Sequence, residues 1–574
     1  MERSFATHRI RPQEELTGRL WDFAPLQGEH AGEHYTVMTP CCWESLPDTA
    51  AYRGEGRYTT SFTGHGNVRI VCKGVSHTAT ISVDGREVVS HYNAYTPFEV
   101  VLPHLPEGKH TLEIVADNRF SDQSALHVPN DYMSYGGVTR PVLVERLGDA
   151  YLRLVHVTTR KVGETWQAHV EAWVVNLTER ELTVDLTLAL SEAGSVEGSE
   201  CKKESDRDVP GEWKCDRMVS LAPGQETLVS CDLDCAGALP WSPEAPNLYE
   251  VCGTLYQEGM PIDDLIDRFG FREIQISGKQ ILLNGQPLRI KGVCRHEDHP
   301  QYGCALPMEA MAYDLMQIRD LGANSVRTAH YPNDERFLDL CDALGILIWE
   351  ENHARGLSEE QMRNPHFEDQ AEEVIREMVP LHYNHPSIYI WGILNECASE
   401  TEYGKACYEK QLNLIRSLDA TRPTSFASCK FKTDICFGLP EVVSYNIYPL
   451  WYHNTPVGEY LDDLYTWVQE ETEGAGKPFL VTEIGAGGLY GYRNPEHSHW
   501  TEEYQAETLR EQVTAVLAHP DCVGLYIWQY CDIRISEEWW GGRPRTMNNK
   551  GLVDEFRRHK LCYDVVKDLY RKQV

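Results

Sequence analysis

The second half of this sequence repeats one pattern eight times, a short and nearly continuous apolar run that is in most cases followed by an amphipathic stretch. The runs are residues 288–297, 323–332, 346–352, 387–396, 424–430, 442–449, 478–486 and 523–532. Runs of this kind are typical of parallel strands buried on both faces. Amphipathic stretches such as 309–322 have apolar residues at helical spacing. Eight alternations over about 300 residues predict a TIM barrel.

Residues 1–272 have a different pattern, in which short segments alternate apolar and polar residues between turn residues. Segments 67–74 and 110–118 are examples. Their spacing predicts a β-sandwich or jelly roll over 1–148, and a second β-domain over 149–272. The polar stretch 194–212 is predicted to be an exposed loop of the second domain. The barrel domain is then predicted over 273–574.

Composition limits the partners of the chain. The 574 residues have a formal net charge of −34, which argues against nucleic acid or an anionic membrane as a partner. The N-terminus has no apolar core of signal-peptide type, so we expect a cytoplasmic protein. Eighteen scattered cysteines without a C-x-x-C pattern predict free thiols, with no disulfide framework and no metal centre. An anionic substrate would need a local basic pocket.

Two of the apolar runs carry a glutamate at the carboxyl end. Run 387–396 ends in Asn395-Glu396, and run 478–486 contains Glu483. Active sites of β/α barrels are built at the carboxyl ends of the strands, so these carboxyl groups are predicted to face each other. Such a pair can cleave a glycosidic bond, one as acid and the other as nucleophile or base. For either site alone, a structural glutamate at the end of a buried strand is the alternative.

With these glutamates in place, the chain resembles glycoside hydrolase family 2, which includes β-galactosidases, β-glucuronidases and β-mannosidases, over essentially its whole length. The resemblance rests also on LPWSPEAPNLYEV (239–251) and on the segment 269–298 that precedes and opens the barrel. It implies a jelly roll, an immunoglobulin-like sandwich and a TIM barrel. It further implies a cofactor-free retaining double displacement with Glu396 as acid/base and Glu483 as nucleophile. Family members are commonly dimers or tetramers, so a homo-oligomer is expected.

The resemblance assigns further roles to residues at or near the ends of the predicted strands. Asn395 is expected to hydrogen-bond the sugar 2-hydroxyl, and Tyr448 to hydrogen-bond the nucleophile. His296 and His330 resemble the family's sugar-binding histidines, Arg327 is expected to support the nucleophile electrostatically, and Trp528 can offer an aromatic face to the sugar ring. The alternatives are a strand-end cap for Asn395, a place in the core for Tyr448 and Trp528, and a structural role for the histidines.

Three features favour a uronic acid as the sugar. Asn548-Asn549-Lys550 resembles the Asn-x-Lys signature of β-glucuronidases, so Asn548 and Lys550 are predicted to bind the sugar carboxylate. Segment 444–452 resembles the same branch and places Tyr452 near the sugar. Asp131 matches an aspartate that glucuronidases extend toward O4. A solvated loop is the alternative for the Asn-x-Lys segment.

One segment departs from the glucuronidase pattern. The third run continues as EENHARG (350–356), which places His353 and Arg355 at the barrel mouth. A cation there can meet an axial 4-hydroxyl group or a displaced carboxylate, so a galacturonide is favoured over a glucuronide. The alternative is an outward-facing Arg355 that pairs with Glu359 or Glu360.

Arg543 and Arg545 precede the Asn-x-Lys segment and are predicted to add positive charge beside it. Together these observations predict a cytoplasmic, cofactor-free and metal-free exo-β-hexuronidase that acts with retention on a β-galacturonide or β-glucuronide. A β-galactosidase acting on neutral sugars is the first alternative. An inactive carbohydrate-binding relative and a transglycosylase are the others.

Overall fold

The computed structural model describes residues 2–194 and 212–572. The predicted loop 194–212 therefore lies, except for its two end residues, outside the described residues. The first domain is a β-sandwich of the predicted jelly-roll type, with an eight-stranded sheet and a three-stranded sheet. Its strands are Gln13–Glu15, Leu20–Pro25, Tyr35–Met38, Cys41–Cys42, Glu55–Cys72, Val75–Ser76, Thr78–Val83, Arg86–Tyr92, Phe98–Asp117, Gly137–Val138 and Val142–Leu147.

The second domain pairs a three-stranded with a four-stranded antiparallel sheet. Strand Leu182–Glu192 shows why these segments form a sandwich, since its residues alternate between buried and more exposed positions through Leu190. The strands are Ala150–Val162, Thr165–Asn176, Leu182–Glu192, Trp213–Leu221, Glu226–Cys235, Tyr249–Gln257 and Met260–Phe269. The domain limits 1–148, 149–272 and 273–574 stay predictions of the sequence.

Eight parallel strands close into a barrel, which confirms the predicted TIM architecture. A small antiparallel sheet precedes it, formed by Ile274–Ser277, Gln280–Leu283 and Gln286–Pro287. The barrel strands are, in order, Ile290–Cys294, Ser325–Arg327, Leu347–Glu351, Ile388–Ile393, Thr424–Ser428, Val443–Asn446, Phe479–Ile484 and Cys522–Ile527. The α-helices are Met308–Leu321, Glu335–Leu344, Glu359–Met362, Phe367–Leu381, Glu402–Leu418, Val457–Glu471, Glu502–Ala518 and Leu561–Lys572.

The barrel strands are nearly continuous apolar runs because both of their faces are buried. Inward-facing side chains such as Trp349, Tyr389 and Leu480 fill the interior. The fifth and sixth strands are joined through residues 429–442, a described segment that contains no helix. None of the described helices is long and apolar enough to cross a membrane. The cysteines in the described part of the chain are free thiols.

A loop of the first domain, residues 118–136, reaches the mouth of the barrel. The Tyr132 hydroxyl lies 3.1 Å from Nε2 of His353, and the Tyr135 hydroxyl donates to Asp298 at 2.6 Å. All four side chains are buried. The sandwich therefore forms one wall of the barrel mouth.

A buried ion cluster joins the first two domains. Arg11 donates to Glu145 at 2.9 Å and to Asp263 at 2.8 Å. Its side chain is completely buried, and those of its two partners nearly so. Glu145 also pairs with Arg69. Because the charges of this cluster lie out of reach of water, each depends on its partners.

Arg11→Ala is expected to lower the Tm of the first transition by roughly 5–10 °C, because it leaves two buried carboxylates without this cation. Arg19→Ala is the matched control, since Arg19 pairs with Glu14 on the surface; its shift should stay below about 2 °C. Differential scanning calorimetry of the full chain measures both. Equal changes of Tm for the two variants would contradict the claim that Arg11 stabilises the contact between the first two domains.

Candidate active site

A pocket of about 270 Å³ opens at the carboxyl ends of the barrel strands and contains both predicted glutamates. Glu396 and Glu483 share it with side chains from barrel loops and from the first domain: Asp131, Arg355, Cys429, Asn446, Tyr448, Tyr452, His453, Tyr460, Trp528, Trp539, Arg543 and Lys550. The volume is just below that of pockets for drug-sized ligands, so it suits a smaller molecule. The two acids can therefore act on one ligand.

The backbone around Glu396 leaves the regular strand geometry. The fourth strand ends at Ile393, and Leu394 and Glu396 then have φ of 46° and 55°. Non-glycine residues rarely adopt this left-handed region, and such strain is typical of functional sites. The Glu396 amide donates to the Ala427 carbonyl at 2.9 Å, which holds the turn in place. The turn places the Glu396 carboxyl group in the pocket.

The Glu483 carboxylate is held by two donors. Its Oε1 accepts from Nη1 of Arg327 at 2.8 Å, and its Oε2 accepts from the Tyr448 hydroxyl at 2.6 Å. Both donors stabilise the ionised form, and together they fix the plane of the carboxylate. The positions predicted for Arg327 and Tyr448 thus meet at Glu483.

The carboxyl groups of the two glutamates interact electrostatically. The pKa of Glu483 is raised from 4.5 to about 7, first by burial and then by the neighbouring carboxyl group of Glu396. Arg327 and the Tyr448 hydrogen bond offset part of this rise. Burial and the second carboxyl group thus make Glu483 hold its proton to a higher pH than a solvated glutamate does. A proton on Glu396 and a charge on Glu483 is the arrangement that acid and nucleophile require.

The amide of Asn395 is oriented by its neighbours. Its Oδ1 accepts from Arg327 at 2.7 Å and from Asn446 at 3.1 Å. Its Nδ2 is buried and has no partner in the described part of the chain. A buried donor without a partner is costly unless a ligand satisfies it, so this group is suited to a sugar hydroxyl. Asn446, which also donates to Glu396 at 2.9 Å, was missed in the sequence although it ends the sixth strand.

Trp528 lines the pocket, whereas the predicted His296 and His330 are not among its lining residues. The ring of Trp528 stacks on His330, with centroids 4.9 Å apart, and meets His296 edge-on at 5.4 Å. Burial lowers the pKa of both histidines, which keeps them neutral. Nδ1 of His330 is 2.8 Å from Glu351, whereas Nε2 of His296 is buried and has no hydrogen-bond partner among the described residues.

Lys550 is a buried cation that lines the pocket. Its Nζ donates to the Tyr452 hydroxyl at 3.0 Å and lies 5.2–5.6 Å from the centroids of three aromatic rings, those of Tyr448, Trp451 and Tyr452. No carboxylate of a described residue lies within 4 Å of it. Burial and, to a lesser extent, Arg543 lower its pKa, while Tyr452 raises it. The ammonium group can therefore accept an anionic ligand.

Arg355 points into the pocket and joins the first domain to the acid. Its Nη2 lies 3.3 Å from Asp131 and 3.5 Å from Glu396. Its Nη1 donates to Asn130 at 2.7 Å. Nε of Arg355 is buried and unpaired within the described chain. Asp131 is bound on its other side by Arg543 at 3.0 Å.

One alternative and one prediction need correction. The outward-facing alternative for Arg355 is wrong, since Arg355 lines the pocket and contacts Asp131 and Glu396. Arg545 does not line the pocket: it pairs with Glu555 at 3.2 Å and is half exposed. Arg543 takes the pocket position instead, where it pairs with Asp131.

Asn548 is completely buried and lies behind the pocket rather than among the residues that line it. Its Nδ2 donates to Asp131 at 3.2 Å. The amide thus orients Asp131, and direct contact between Asn548 and a ligand stays a prediction. Lys550, from the same segment, does line the pocket.

Glu483→Gln is expected to raise the Tm of the protein more at about pH 8 than at about pH 4.5. The reason is the direction of the pKa shift: a carboxyl group whose pKa rises from 4.5 to about 7 on folding opposes folding when it is ionised. This cost to folding is absent below the pKa of the group in the unfolded chain, and it is complete above its pKa in the folded protein. Calorimetry across this range measures it, and a difference that is independent of pH would contradict the shift.

Comparison with known proteins places the chain in a family. Residues 274–571 match the TIM barrel domain of the glycosyl hydrolases family 2, and residues 150–272 match a further model of that family. The crystal structure of a GH2 β-galacturonidase from Eisenbergiella tayi bound to galacturonate is 56% identical, with a TM-score of 0.94 and full coverage of both chains. A β-glucuronidase from Streptococcus agalactiae is 26% identical over 84% of each chain. A β-galactosidase from Thermoanaerobacterium thermosulfurigenes is 26% identical over 86% of this chain and 65% of its own. The chain belongs to the glycosyl hydrolases family 2 and is a glycoside hydrolase.

Proposed function

We propose that this glycosidase is an exo-β-galacturonidase, which removes a terminal β-linked galacturonic acid with retention. The observation that carries the proposal is Lys550, a buried ammonium group in the pocket with no carboxylate of a described residue within 4 Å. A uronic acid carboxylate supplies the missing anion, and a neutral sugar does not. The 56% identity to a β-galacturonidase supports the same substrate.

The chemistry follows from the two carboxyl groups. Ionised Glu483 attacks the anomeric carbon, and Glu396 donates its proton to the leaving oxygen. The covalent glycosyl-enzyme removes the charge of Glu483. Glu396, now ionised, takes a proton from water, which attacks the same carbon and releases the sugar. The donors Arg327 and Tyr448 hold Glu483 for both steps.

Recognition of the carboxylate is proposed for the end of the pocket that contains Lys550. Lys550 and Arg543 supply positive charge there, and the Tyr452 hydroxyl lies beside Lys550. Charge-assisted hydrogen bonds of this kind are about twice as strong as neutral ones. They act at hydrogen-bond distance, whereas salt screens the repulsion between the ligand and the distant charges that make up the overall charge of −34.

The choice of epimer is proposed to depend on Arg355 and Asp131. Galacturonate has an axial 4-hydroxyl group and glucuronate an equatorial one, so the two present O4 to different walls of the pocket. Arg355 retains a buried N–H group without a partner in the described chain, and the Asp131 carboxylate beside it can accept a hydrogen bond. A donor and an acceptor together can bind one hydroxyl group from both sides.

Localisation and assembly remain part of the proposal. We infer a cytoplasmic enzyme, because free thiols such as those of the described cysteines persist in reducing compartments. We also infer a homo-oligomer, either dimer or tetramer, from the family resemblance alone. Sedimentation of the purified protein and fractionation of the source cells test these two points.

Lys550→Ala is expected to reduce kcat/KM for nitrophenyl β-galacturonide by a few hundredfold, on the order of 3 kcal/mol, because the sugar carboxylate loses a buried charged partner. Any turnover of nitrophenyl β-galactoside should be unaffected, since that sugar has no carboxylate. Lys410→Ala, which changes an exposed lysine paired with Glu368, is the control. A wild type that prefers the galactoside, or an equal loss on both sugars, would overturn the uronic acid assignment.

Arg355→Ala is expected to lower the ratio of kcat/KM for β-galacturonide over β-glucuronide by about tenfold, the loss of roughly one charged hydrogen bond. Both absolute rates should also fall, because Arg355 contacts Glu396, so the ratio is the informative quantity. Arg363→Ala, in the exposed pair with Glu359, serves as the control. An unchanged ratio would remove Arg355 from the account of epimer selectivity.

A further inference from the structure

We propose that the leaving-group side of the pocket is a binding site for a planar aromatic aglycone. The site consists of three ring side chains, His453, Tyr460 and Phe431, which we call the aromatic strip. The proposal rests on the proposed glycosidase mechanism, because that mechanism decides on which side of Glu396 the leaving group lies.

The leaving group has to lie beside the acid that protonates it, and this fixes its direction. The Glu396 amide donates to the Ala427 carbonyl at 2.9 Å, and Cys429, two residues further along, lines the same pocket. The Phe431 amide donates to the Cys429 carbonyl at 3.0 Å, and the Phe431 ring lies 5.1 Å from that of Tyr460. A group that leaves from the Glu396 side is therefore expected to pass Cys429 and reach Tyr460.

The aromatic strip continues from the pocket to the surface. His453 and Tyr460 both line the pocket, with ring planes 14° apart and centroids 6.0 Å apart. Phe431 follows, 5.1 Å from Tyr460 and 40% exposed. Phe431 lies in segment 429–442, between the fifth and sixth barrel strands, and Lys432 Nζ is 5.5 Å from the centroid of its ring. Ring faces are thus presented in a row outside the sugar position.

The charges along the strip are already paired. Lys430 contacts Glu400 at 3.1 Å, and Lys432 contacts Asp463 at 2.6 Å. What the strip offers a ligand is therefore mainly ring surface, which favours stacking with a flat aromatic group over the many hydrogen bonds that a second sugar requires. Trp539 lines the pocket as well and is 38% exposed, which adds a further aromatic face at the entrance.

The test compares leaving groups of similar acidity on one sugar, phenyl and 2-naphthyl β-galacturonide. Tyr460→Ala is expected to lower the naphthyl-to-phenyl ratio of kcat/KM by about three- to tenfold, because the larger ring loses its stacking partner. Tyr460→Phe keeps the ring and should retain the wild-type ratio. Phe431→Ala, at an exposed position, should lower the ratio in the same direction and serves as a second variant if Tyr460→Ala folds poorly. Tyr490→Ala, an exposed tyrosine outside the pocket, is the matched control.

Two results would overturn the proposal. One is a naphthyl-to-phenyl ratio of kcat/KM that stays at the wild-type value in both Tyr460→Ala and Phe431→Ala. The other is a greater loss on a galacturonosyl disaccharide than on the naphthyl substrate, which would identify a sugar as the leaving group. If the wild type cleaves a different sugar, the proposed galacturonide substrate is wrong, but the proposed aglycone site is not yet contradicted. The same phenyl and naphthyl leaving groups are then compared on the sugar that is cleaved, which tests the aglycone site separately.

Discussion

The site depends on one buried guanidinium group. Arg327 is completely buried and binds Glu351, Glu483 and Asn395 at once. Burial would lower its pKa, but Glu351 and Glu483 more than offset this and keep it charged. Without Arg327 the nucleophile would be a buried anion with no strong counterion. Asn395 would also lose the hydrogen bond to its Oδ1 that orients the amide and leaves Nδ2 available to a ligand. The barrel interior thus contains an ionic centre around which the reacting groups are ordered.

The pocket contains three cations although the protein is strongly acidic: Arg355, Arg543 and Lys550. Arg355 and Arg543 both contact Asp131, whereas no carboxylate of a described residue lies within 4 Å of the Lys550 ammonium group. Buried charges are stable only when paired. A monoanionic ligand completes the balance, and a uronate is such a ligand.

The sequence alone predicted the elements that have a local signal. The eight barrel strands and the glutamates near their ends follow from short apolar runs, because burial on both faces requires that composition. The contribution of Trp539 and the contact between Tyr132 and His353 depend on residues far apart in the chain, which no local pattern shows. The choice between Arg543 and Arg545 was missed for the same reason, since Arg543 pairs with Asp131, which lies far away in the chain.

Asp131 belongs to the sandwich, whereas both reacting carboxyl groups belong to the barrel. Bond cleavage and the proposed recognition of O4 are therefore encoded in separate stretches of the gene, more than two hundred and fifty codons apart. On that proposal, small insertions or deletions in the loop 118–136 alter which epimer is accepted, and they reach Glu396 through its contact with Arg355. Substrate preference in such an enzyme can change through a domain that lies outside the barrel.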